Sequence, residues 1–277
     1  MKRNGLKIAA LVVALLLIVG AVLFANSLVG NPISKALAKH TAKKYMEEAY
    51  GDTDYELERV TYSFKDGYYH AFVSSPTGKD TYFTLLINGF GKLRYDNYET
   101  SVANGWNTAS RLDADYRKAV DAIMDSSIFP YDEHIGYGDL VCIPSENRNA
   151  EGVPEYALIT DDLTLDAYYN VSELGAKAGK LTVYIEDETV STERAAEILV
   201  GIRECFDRAG VGFYAIDLVL EYPRDENGYS EDGRVELMDF RYADIYEEGL
   251  AERVRISDEA TRAYYSYADA EKLKEQP

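Results

Sequence analysis

An uninterrupted apolar run near the N-terminus constrains the fold of this 277-residue chain more than any other feature. From Ile8 to Ala25 no side chain is polar or charged, and Leu28 and Val29 extend the run after two polar residues. A helix of about 20 apolar residues spans the roughly 30 Å hydrocarbon core of a bilayer. A removable signal peptide usually has a shorter apolar stretch of about 7–15 residues. The run therefore predicts an uncleaved transmembrane anchor at residues 8–29.

The sequence leaves open whether this segment is cleaved and which way it crosses the membrane. The tripeptide Ala25-Asn26-Ser27 presents small residues at the positions that a signal peptidase reads, so cleavage is the alternative to a retained anchor. Basic residues flank the run on both sides, so the charge of the flanks does not fix the orientation. Because the short basic head resembles the first part of a signal sequence, we favour a single-pass protein of the cell membrane with its C-terminal region extracytoplasmic.

The rest of the chain is strongly acidic. All 48 acidic residues follow the apolar run, against 26 of the 29 basic residues. A nucleic-acid binder needs clustered Lys and Arg to displace counterions from phosphate, so no nucleic-acid partner is expected. A basic patch that docks on anionic lipid is also disfavoured. The predicted partners are therefore the lipid bilayer, through residues 8–29, and a protein or another component of the cell envelope.

The segment after the anchor predicts one helix followed by an antiparallel meander. Ile33, Leu37 and Tyr45 lie on one row of a helix over residues 33–50. Alternating runs rich in Tyr, Phe, Val and Thr then predict strands, separated by turns that contain Gly67, Gly78 and Gly89. These predicted strands cover residues 57–64, 68–74, 81–87 and 92–98. The helix is expected to cover one face of the sheet.

A second α+β module is predicted after a long connecting helix. Apolar residues recur every three or four positions from Val102 through Trp106 to Ile123, which predicts a helix over 100–126 despite Gly105. Helices are expected from Thr192 to Gly210 and over 258–274, the latter with Tyr267 facing inward. Predicted strands cover residues 140–143, 156–160, 180–186, 213–222 and 234–242.

The predicted fold class is thus α+β: an N-terminal transmembrane helix followed by two small helix-plus-antiparallel-sheet modules. The expected divisions are 1–30 for the cytoplasmic head and anchor, 31–99 for the first module, 100–126 for the connecting helix and 127–277 for the second module.

No catalytic residue, metal ligand or cofactor is assigned from motifs. His40, His70 and His134 are far apart in sequence, so no helical pair of metal-binding histidines exists. The loop 225–233 departs from a calcium-binding loop because Tyr229 and Ser230 occupy its fifth and sixth positions, which favours an acidic hairpin loop. Nucleophile elbows and phosphate-binding glycine loops are absent from the sequence.

The two cysteines, Cys142 and Cys205, each lie in an apolar pattern. We interpret them as buried free thiols that pack as small hydrophobes. A disulfide is the alternative, because the predicted compartment is oxidising.

Tyrosine is unusually abundant, with 24 Tyr against 9 Phe. Neighbours in a strand point to opposite faces, so one residue of the pair Tyr68-Tyr69 should be exposed. Exposed tyrosines supply contact area for protein or glycan partners, whereas β propensity alone is the plainer explanation for the count. The candidate binding residues are Tyr62, Tyr68, Tyr69 and Tyr82 on the first meander, of which alternation must leave some in the core.

Two stretches carry a family resemblance. One is Ser-Pro-Thr-Gly-Lys-Asp-Thr-Tyr-Phe at 75–83, and the other is Leu-Arg-Tyr-Asp-Asn-Tyr-Glu at 93–99, continuing through Gly-Trp-Asn-Thr at 105–108 to Arg111-Leu112. With the apolar run, they resemble the YfjL-like family of Gram-positive bacterial proteins over roughly residues 5–125. Residues 215–218 to 244–248 are similar to the C-terminal part of these proteins. The resemblance implies a small membrane-anchored protein with two α+β modules and carries no assigned activity.

The leading functional hypothesis is a non-catalytic, membrane-anchored extracytoplasmic protein that binds a protein or envelope component. The alternative is an envelope hydrolase that uses paired carboxylates. An exposed, Tyr-rich face would favour binding, and a pocket lined by two buried carboxylates would favour the hydrolase.

The orientation can be tested on intact cells. We expect protease added to protoplasts to digest the region after residue 30, because the apolar run is long enough to remain as an anchor. Protection of that region until the membrane is lysed would contradict the predicted orientation.

Overall fold

The computed structural model describes residues 2–225 and 233–275. The chain forms two compact units. The first ends at Thr108 and also includes Thr164–Asp166, and the second has Ala109–Leu163 and continues from Ala167. The predicted α+β class, with a long apolar N-terminal helix and antiparallel sheets, is confirmed. Residues 226–232, in the loop weighed above as a calcium site, lie outside the described residues.

The first unit starts with the apolar helix. Its elements are α1 (Lys2–Val29), α2 (Pro32–Ala49), β1 (Glu56–Ser63), β2 (Tyr68–Ser74), β3 (Tyr82–Ile87) and β4 (Leu93–Asp96). The apolar part of α1 has the length and hydropathy needed to cross a membrane, a test that an N-terminal signal sequence also passes. Asn31 caps α2 by accepting a hydrogen bond from the Ser34 backbone N–H at 2.8 Å.

The four strands of the first unit pair in sequence order, each antiparallel to the next, as the meander predicted. Helix α2 lies on one face of this sheet and presents Ala38 and Ala42, both fully buried. These small side chains let the helix backbone approach the sheet closely. The sheet contributes alternate residues to this core: Val60, Tyr69, Ala71, Val73, Phe83, Leu85 and Ile87.

Several tyrosines of this unit have a structural role at the edge of the core. Tyr45 and Tyr50 both donate hydrogen bonds to Asp96 Oδ2, at 2.9 and 2.7 Å. Burial and the hydrogen bond to Asp96 raise the pKa of Tyr50 well above its usual range. The rings of Tyr55 and Tyr98 pack against Tyr50. Much of the high tyrosine content therefore serves packing, with each hydroxyl near the surface.

The predicted connecting helix begins later than the apolar spacing indicated. Residues Glu99–Ala103 form a π-helical turn, and Gly105 then takes a φ of +73°, so α3 spans Trp106–Met124. A left-handed glycine ends the preceding turn, and helical geometry restarts after it. The apolar stripe is otherwise confirmed, except that Trp106 is 45% exposed.

The second unit contains most of α3 and the remaining elements. These are β5 (Glu133–Leu140), β6 (Cys142–Ile143), β7 (Leu158–Ile159), α4 (Val171–Ala178), β8 (Gly179–Glu186), α5 (Thr192–Ala209), β9 (Ala215–Glu221), β10 (Arg234–Arg241) and α6 (Leu250–Glu275). Helix α6 starts before the predicted position and buries Leu250 and Val254. Tyr267, which we expected to face inward, is 68% exposed.

The main sheet of the second unit has the order β10-β9-β8-β5. Its outer pairs are antiparallel, but β8 and β9 pair in parallel, joined by the crossover helix α5. A parallel pair needs a long crossover connection of this kind. The apolar and polar pattern within one strand does not indicate whether its neighbour runs parallel or antiparallel to it. Helix α5 starts at Thr192 and is closed by Gly210, with a φ of +70°, as predicted, and the side chain of Ser191 caps its start.

Both cysteines are free thiols in this unit. Cys205 is buried on α5 and donates to the carbonyl oxygen of Ile128 at 3.0 Å. Burial raises the pKa of the Cys142 thiol to about 12. The Cys142 thiol is therefore protonated and weakly nucleophilic at neutral pH.

A charged cluster joins β8, β9 and β10. Lys180 Nζ lies 2.9 Å from both Asp217 Oδ2 and Asp239 Oδ1, and Tyr156 donates to Asp239 at 2.7 Å. Asp239 has a φ of +49° at a β-bulge, and its backbone N–H donates to Asp217 Oδ1 at 2.7 Å. Burial lowers the pKa of Lys180, but the hydrogen bonds to the two carboxylates outweigh it and raise that pKa above 10.5.

We expect Lys180→Met to lower the free energy of unfolding by about 2 kcal/mol at neutral pH, because two adjacent carboxylates lose their common cation. Folding raises the pKa of Lys180. The stabilisation by its charge is therefore complete at pH values below the pKa of Lys180 in the unfolded chain, and it disappears as the pH rises through the pKa of Lys180 in the folded protein. Urea titrations from neutral to strongly alkaline pH should therefore show the difference between Lys180→Met and wild type shrinking. Lys177→Met, an exposed change nearby on α4, serves as the control. A difference that persists undiminished at alkaline pH would contradict this account.

Candidate functional site

The face of the first sheet opposite α2 is exposed and rich in aromatic residues. Strand alternation places Tyr68 and Phe72 of β2 on this outer face, together with Tyr82 of β3 and Tyr95 of β4. Tyr82 and Tyr95 are 48% and 47% exposed. We call this surface the outer face of the first sheet.

A groove with a volume of about 530 Å³ crosses one end of the outer face. That size is within the usual range for small-ligand sites. Its lining combines three aromatic rings, two cations, the carboxylate of Glu58 and several amides and hydroxyls; the residues used below are Arg59, Phe72, Lys79, Tyr82, Asn97 and Asn107. The guanidinium of Arg59 lies over the Phe72 ring, 4.4 Å from its centroid. This stacking forms a flat, partly apolar floor next to a positive charge.

One wall of the groove is the loop between β2 and β3. Ser75 donates to Asp54 Oδ2 at 2.8 Å, and the Thr77 hydroxyl donates to the same oxygen. The hydrogen bond from Thr77, followed by that from Ser75, lowers the pKa of Asp54 and keeps its carboxylate ionised. Ser75 Oγ also accepts from the backbone N–H of Gly78 at 2.9 Å. The loop is therefore held by side-chain hydrogen bonds along its length.

The same loop is fixed at its other end by Asp166. Asp166 Oδ1 accepts from the backbone N–H of Asp80 at 2.6 Å, and Asp80 Oδ2 accepts from the backbone N–H of Asp166 at 3.2 Å. Asp80 is fully buried, and Asp166 has a left-handed φ of +59°. A Cβ on Gly78 would lie 2.7 Å from Asp166 Oδ2, so only glycine leaves this carboxylate in place.

Two asparagines connect the loop to the strands beside it. Asn107 is 4% exposed, and its side-chain amide donates to the carbonyl oxygens of Asp80 and Tyr82 at 2.8 and 2.7 Å. Asn97 Oδ1 accepts from the backbone N–H of Thr84 at 2.6 Å. The stretches at 75–83, 93–99 and 105–108 therefore meet at this groove.

The groove can hold a ligand by non-covalent contacts. Lys79 is exposed at its wall, and its ammonium group suits an anionic group of a ligand. Phe72 and Tyr82 offer ring surfaces, and the amides and hydroxyls around them offer hydrogen bonds. Neither histidine nor cysteine is present among these lining residues. The Ser74 hydroxyl donates to Glu58 Oε1 at 2.6 Å, and both residues line the groove.

The four tyrosines singled out from the sequence have different environments. Tyr82 lines the groove, and Tyr68 lies on the outer face at the opposite end of β2. Tyr69 is 2% exposed in the core, and Tyr62 is half-buried with its ring against that of Tyr69. Sequence reasoning did not single out Arg59 or Phe72, because the apolar run Ala71-Phe72-Val73 hides which face each residue takes.

A second cluster, in the second unit, joins three side chains that could bind a metal. His134 lies on β5, with Nδ1 3.7 Å from Glu186 and Nε2 3.5 Å from Glu221. The two glutamates are direct partners in the parallel β8–β9 pair, where like charges repel. Arg224 donates to Glu221 at 2.7 Å and lies 2.9 Å from His134 Nε2. The guanidinium already supplies positive charge between these groups, which makes the cluster an ion-pair network.

Sequence reasoning assigned His134 no partner and missed both glutamates. Glu186 and Glu221 end β8 and β9, and they come together only because these strands are parallel neighbours. Only a prediction that β8 and β9 pair in parallel would have placed Glu186 beside Glu221.

The rigidity of the groove wall can be tested at Asp166. We expect Asp166→Ala to cost about 1–3 kcal/mol in the free energy of unfolding, because the buried N–H of Asp80 loses its acceptor. Asp166→Asn is the matched control, since it keeps an acceptor oxygen and tolerates a left-handed φ. Urea titration followed by circular dichroism measures both variants. Equal losses for Ala and Asn would contradict the role of the hydrogen bond.

The comparisons with known proteins agree with the resemblance of these stretches. The YfjL-like N-terminal domain family matches residues 5–97, and the YfjL-like C-terminal domain family matches residues 115–255. Searches of the curated proteins and of the solved structures found no significant match. Because the two matches together cover most of the chain, this protein belongs to the YfjL-like family.

Proposed function

We propose that the protein is a membrane-anchored, extracytoplasmic binding protein whose groove on the first unit takes an envelope component with an anionic group. The observation that carries this proposal is the set of side-chain hydrogen bonds that hold the wall of the groove, where three separated stretches of the sequence meet. Asp54, Asp166 and Asn107 hold the loop 75–80 from three directions. A loop held in place before binding loses less entropy when a ligand arrives.

The composition of the groove favours binding over hydrolysis. Phe72, stacked under Arg59, and the half-exposed Tyr82 suit a sugar ring or an apolar side chain. Lys79 suits a carboxylate or phosphate on the same ligand. Of the carboxylate pairs described above, Glu186 and Glu221 lie in the second unit, where Arg224 offsets part of their charge. Asp80 and Asp166, at the wall of the groove, each accept a hydrogen bond from the other's backbone N–H and so hold the loop.

The apolar helix supports the proposed location. Its length and composition fit a membrane anchor, and in the proposed topology both units lie outside the membrane. The acidic surface of the units disfavours broad adsorption to anionic polymers, because their charges repel. The cations at the groove therefore provide a local, selective contact within a repulsive surface.

We expect Tyr82→Ala and Lys79→Gln each to weaken ligand capture by about 1–2 kcal/mol, which is roughly 5–30-fold in Kd. The probes are soluble glycan and peptide fragments released from purified envelope, measured by isothermal titration calorimetry with the full chain in detergent. Tyr267→Ala on α6 is the control, because Tyr267 is at least as exposed as Tyr82 but lies in the other unit.

Loss of capture in Tyr267→Ala equal to that in Tyr82→Ala would contradict the groove as the binding site. The hydrolase alternative has its own signature: the envelope fragments would be cleaved, and Glu221→Gln would abolish the cleavage while the fold survives.

A further inference from the structure

Both outer hairpin turns of the first sheet lie at the same end of the sheet as the C-terminal end of α1. Tyr62 pairs with Tyr69, and Tyr69 pairs with Ile87, so the β1–β2 turn and the β3–β4 turn leave the sheet side by side. The end of α1 is attached at this point. Tyr62 donates to the carbonyl oxygen of Ser27 at 3.1 Å, and Tyr69 accepts from the backbone N–H of Asn31 at 2.9 Å.

One cavity of about 320 Å³ shows how close these parts are. Its lining includes Asn26 from the end of α1, Asn31 from the junction with α2, Gly67 from the first turn, and Gly89 and Phe90 from the second turn. The three parts therefore surround a single small space.

Each turn presents a phenylalanine to solvent. Phe64 in the β1–β2 turn is 64% exposed, and Phe90 in the β3–β4 turn is 90% exposed. Val29 at the end of α1 and Ile33 in the first turn of α2 are 76% and 75% exposed. Single exposed apolar residues are common on protein surfaces. These four, however, all belong to the end of α1, the start of α2 or the two turns at the same end of the sheet, and exposed apolar residues concentrated in one region indicate an interaction site.

The turn that carries Phe90 is rigid. The side chain of Asn88 accepts from the backbone N–H groups of Phe90 and Lys92 at 3.0 and 2.9 Å. Gly91 takes a φ of +77°, and its carbonyl oxygen accepts from the Thr41 hydroxyl of α2 at 2.6 Å. The backbone of the turn is thus fixed with Phe90 exposed.

Lysines accompany these apolar residues. Lys65 follows Phe64, Lys92 follows Phe90 by two positions, and Lys35 follows Ile33 by two, all three being exposed. Aromatic rings with lysines beside them are typical of segments that lie at the surface of a bilayer, where the ring enters the acyl boundary and the amine stays among the headgroups.

We propose that Phe64 and Phe90 insert into the surface of the bilayer that α1 spans, and so hold the first unit against the lipid. This inference rests on the membrane anchoring in the proposed function. Residues 8–29 as a helix measure about 33 Å, which places Val29 at the edge of the hydrocarbon core and the two turns at the level of the headgroups. Lipid is therefore the occupant that this position favours.

The test places a tryptophan at each site in turn. The full chain is reconstituted in vesicles of equal parts phosphatidylcholine and phosphatidylglycerol, and the single native tryptophan is removed by Trp106→Phe. Phe64→Trp and Phe90→Trp are compared with Leu16→Trp, inside α1, and with Tyr267→Trp, exposed in the second unit. Lipids with brominated acyl chains quench only tryptophans that enter the bilayer.

We expect the tryptophans at 16, 64 and 90 to shift their emission to the blue and to lose most of their intensity, while the one at 267 does neither. Quenching at 16 without quenching at 64 and 90 would overturn this inference and leave the anchoring intact. Absence of quenching at 16 would overturn the anchoring and this inference with it. A blue shift at 64 and 90 that brominated lipid does not quench would identify a protein partner or second copy, and would also overturn the inference.

Discussion

The contact between the end of the apolar helix and the first sheet is the constraint on which both proposals depend. Asn31 donates its backbone N–H to the Tyr69 hydroxyl, which in turn donates to the Asn31 carbonyl oxygen at 3.2 Å. Gly30 makes this close approach possible. It has a φ of +72°, and a Cβ there would lie 2.7 Å from both the Tyr62 ring and the Tyr69 hydroxyl. The apolar helix therefore continues into the folded unit without a flexible linker.

The two ends of the first sheet have different roles because of this contact. One end of β2 carries Tyr69 and the end of α1, whereas the other end carries Ser74, which pairs with Tyr82 at the groove. The six residue steps between Tyr68 and Ser74 correspond to about 20 Å along the strand. In the proposed topology, the end with Phe64 and Phe90 faces the lipid, and the groove opens away from it.

Local patterns predicted many elements of this fold but missed α4 and most of β5. The spacing of α2, the alternation of β1 to β3 and the capping residues of α5 depend on near neighbours in sequence, so they are readable from the chain alone. The same patterns left the break at Gly105 undetected, because an apolar stripe continues on both sides of one left-handed residue. The family resemblance pointed to the stretches that form the groove, but it did not say which of their side chains face it.

The features that could not be predicted depend on partners far apart in the chain. The parallel pairing of β8 and β9 follows from the path of α5, and it alone brings Glu186 and Glu221 together beside His134. Likewise, nothing near residue 166 indicates that its carboxylate accepts from Asp80. Tyr69 shows that composition does not predict which tyrosines are exposed. The high tyrosine content suggested contact surfaces, but the register of one strand places Tyr69 in the core.

The place of Asp166 in the chain also has a consequence for synthesis. The loop 75–80 leaves the ribosome 86 residues before its partner carboxylate, at a translation rate of about 5–20 residues per second. The helix α2 and the four strands of the first unit precede Asp166, so they are available to pair while the backbone N–H of Asp80 still lacks its final acceptor. The closing hydrogen bond of the groove therefore cannot form until several seconds after the residues of the sheet have been synthesised.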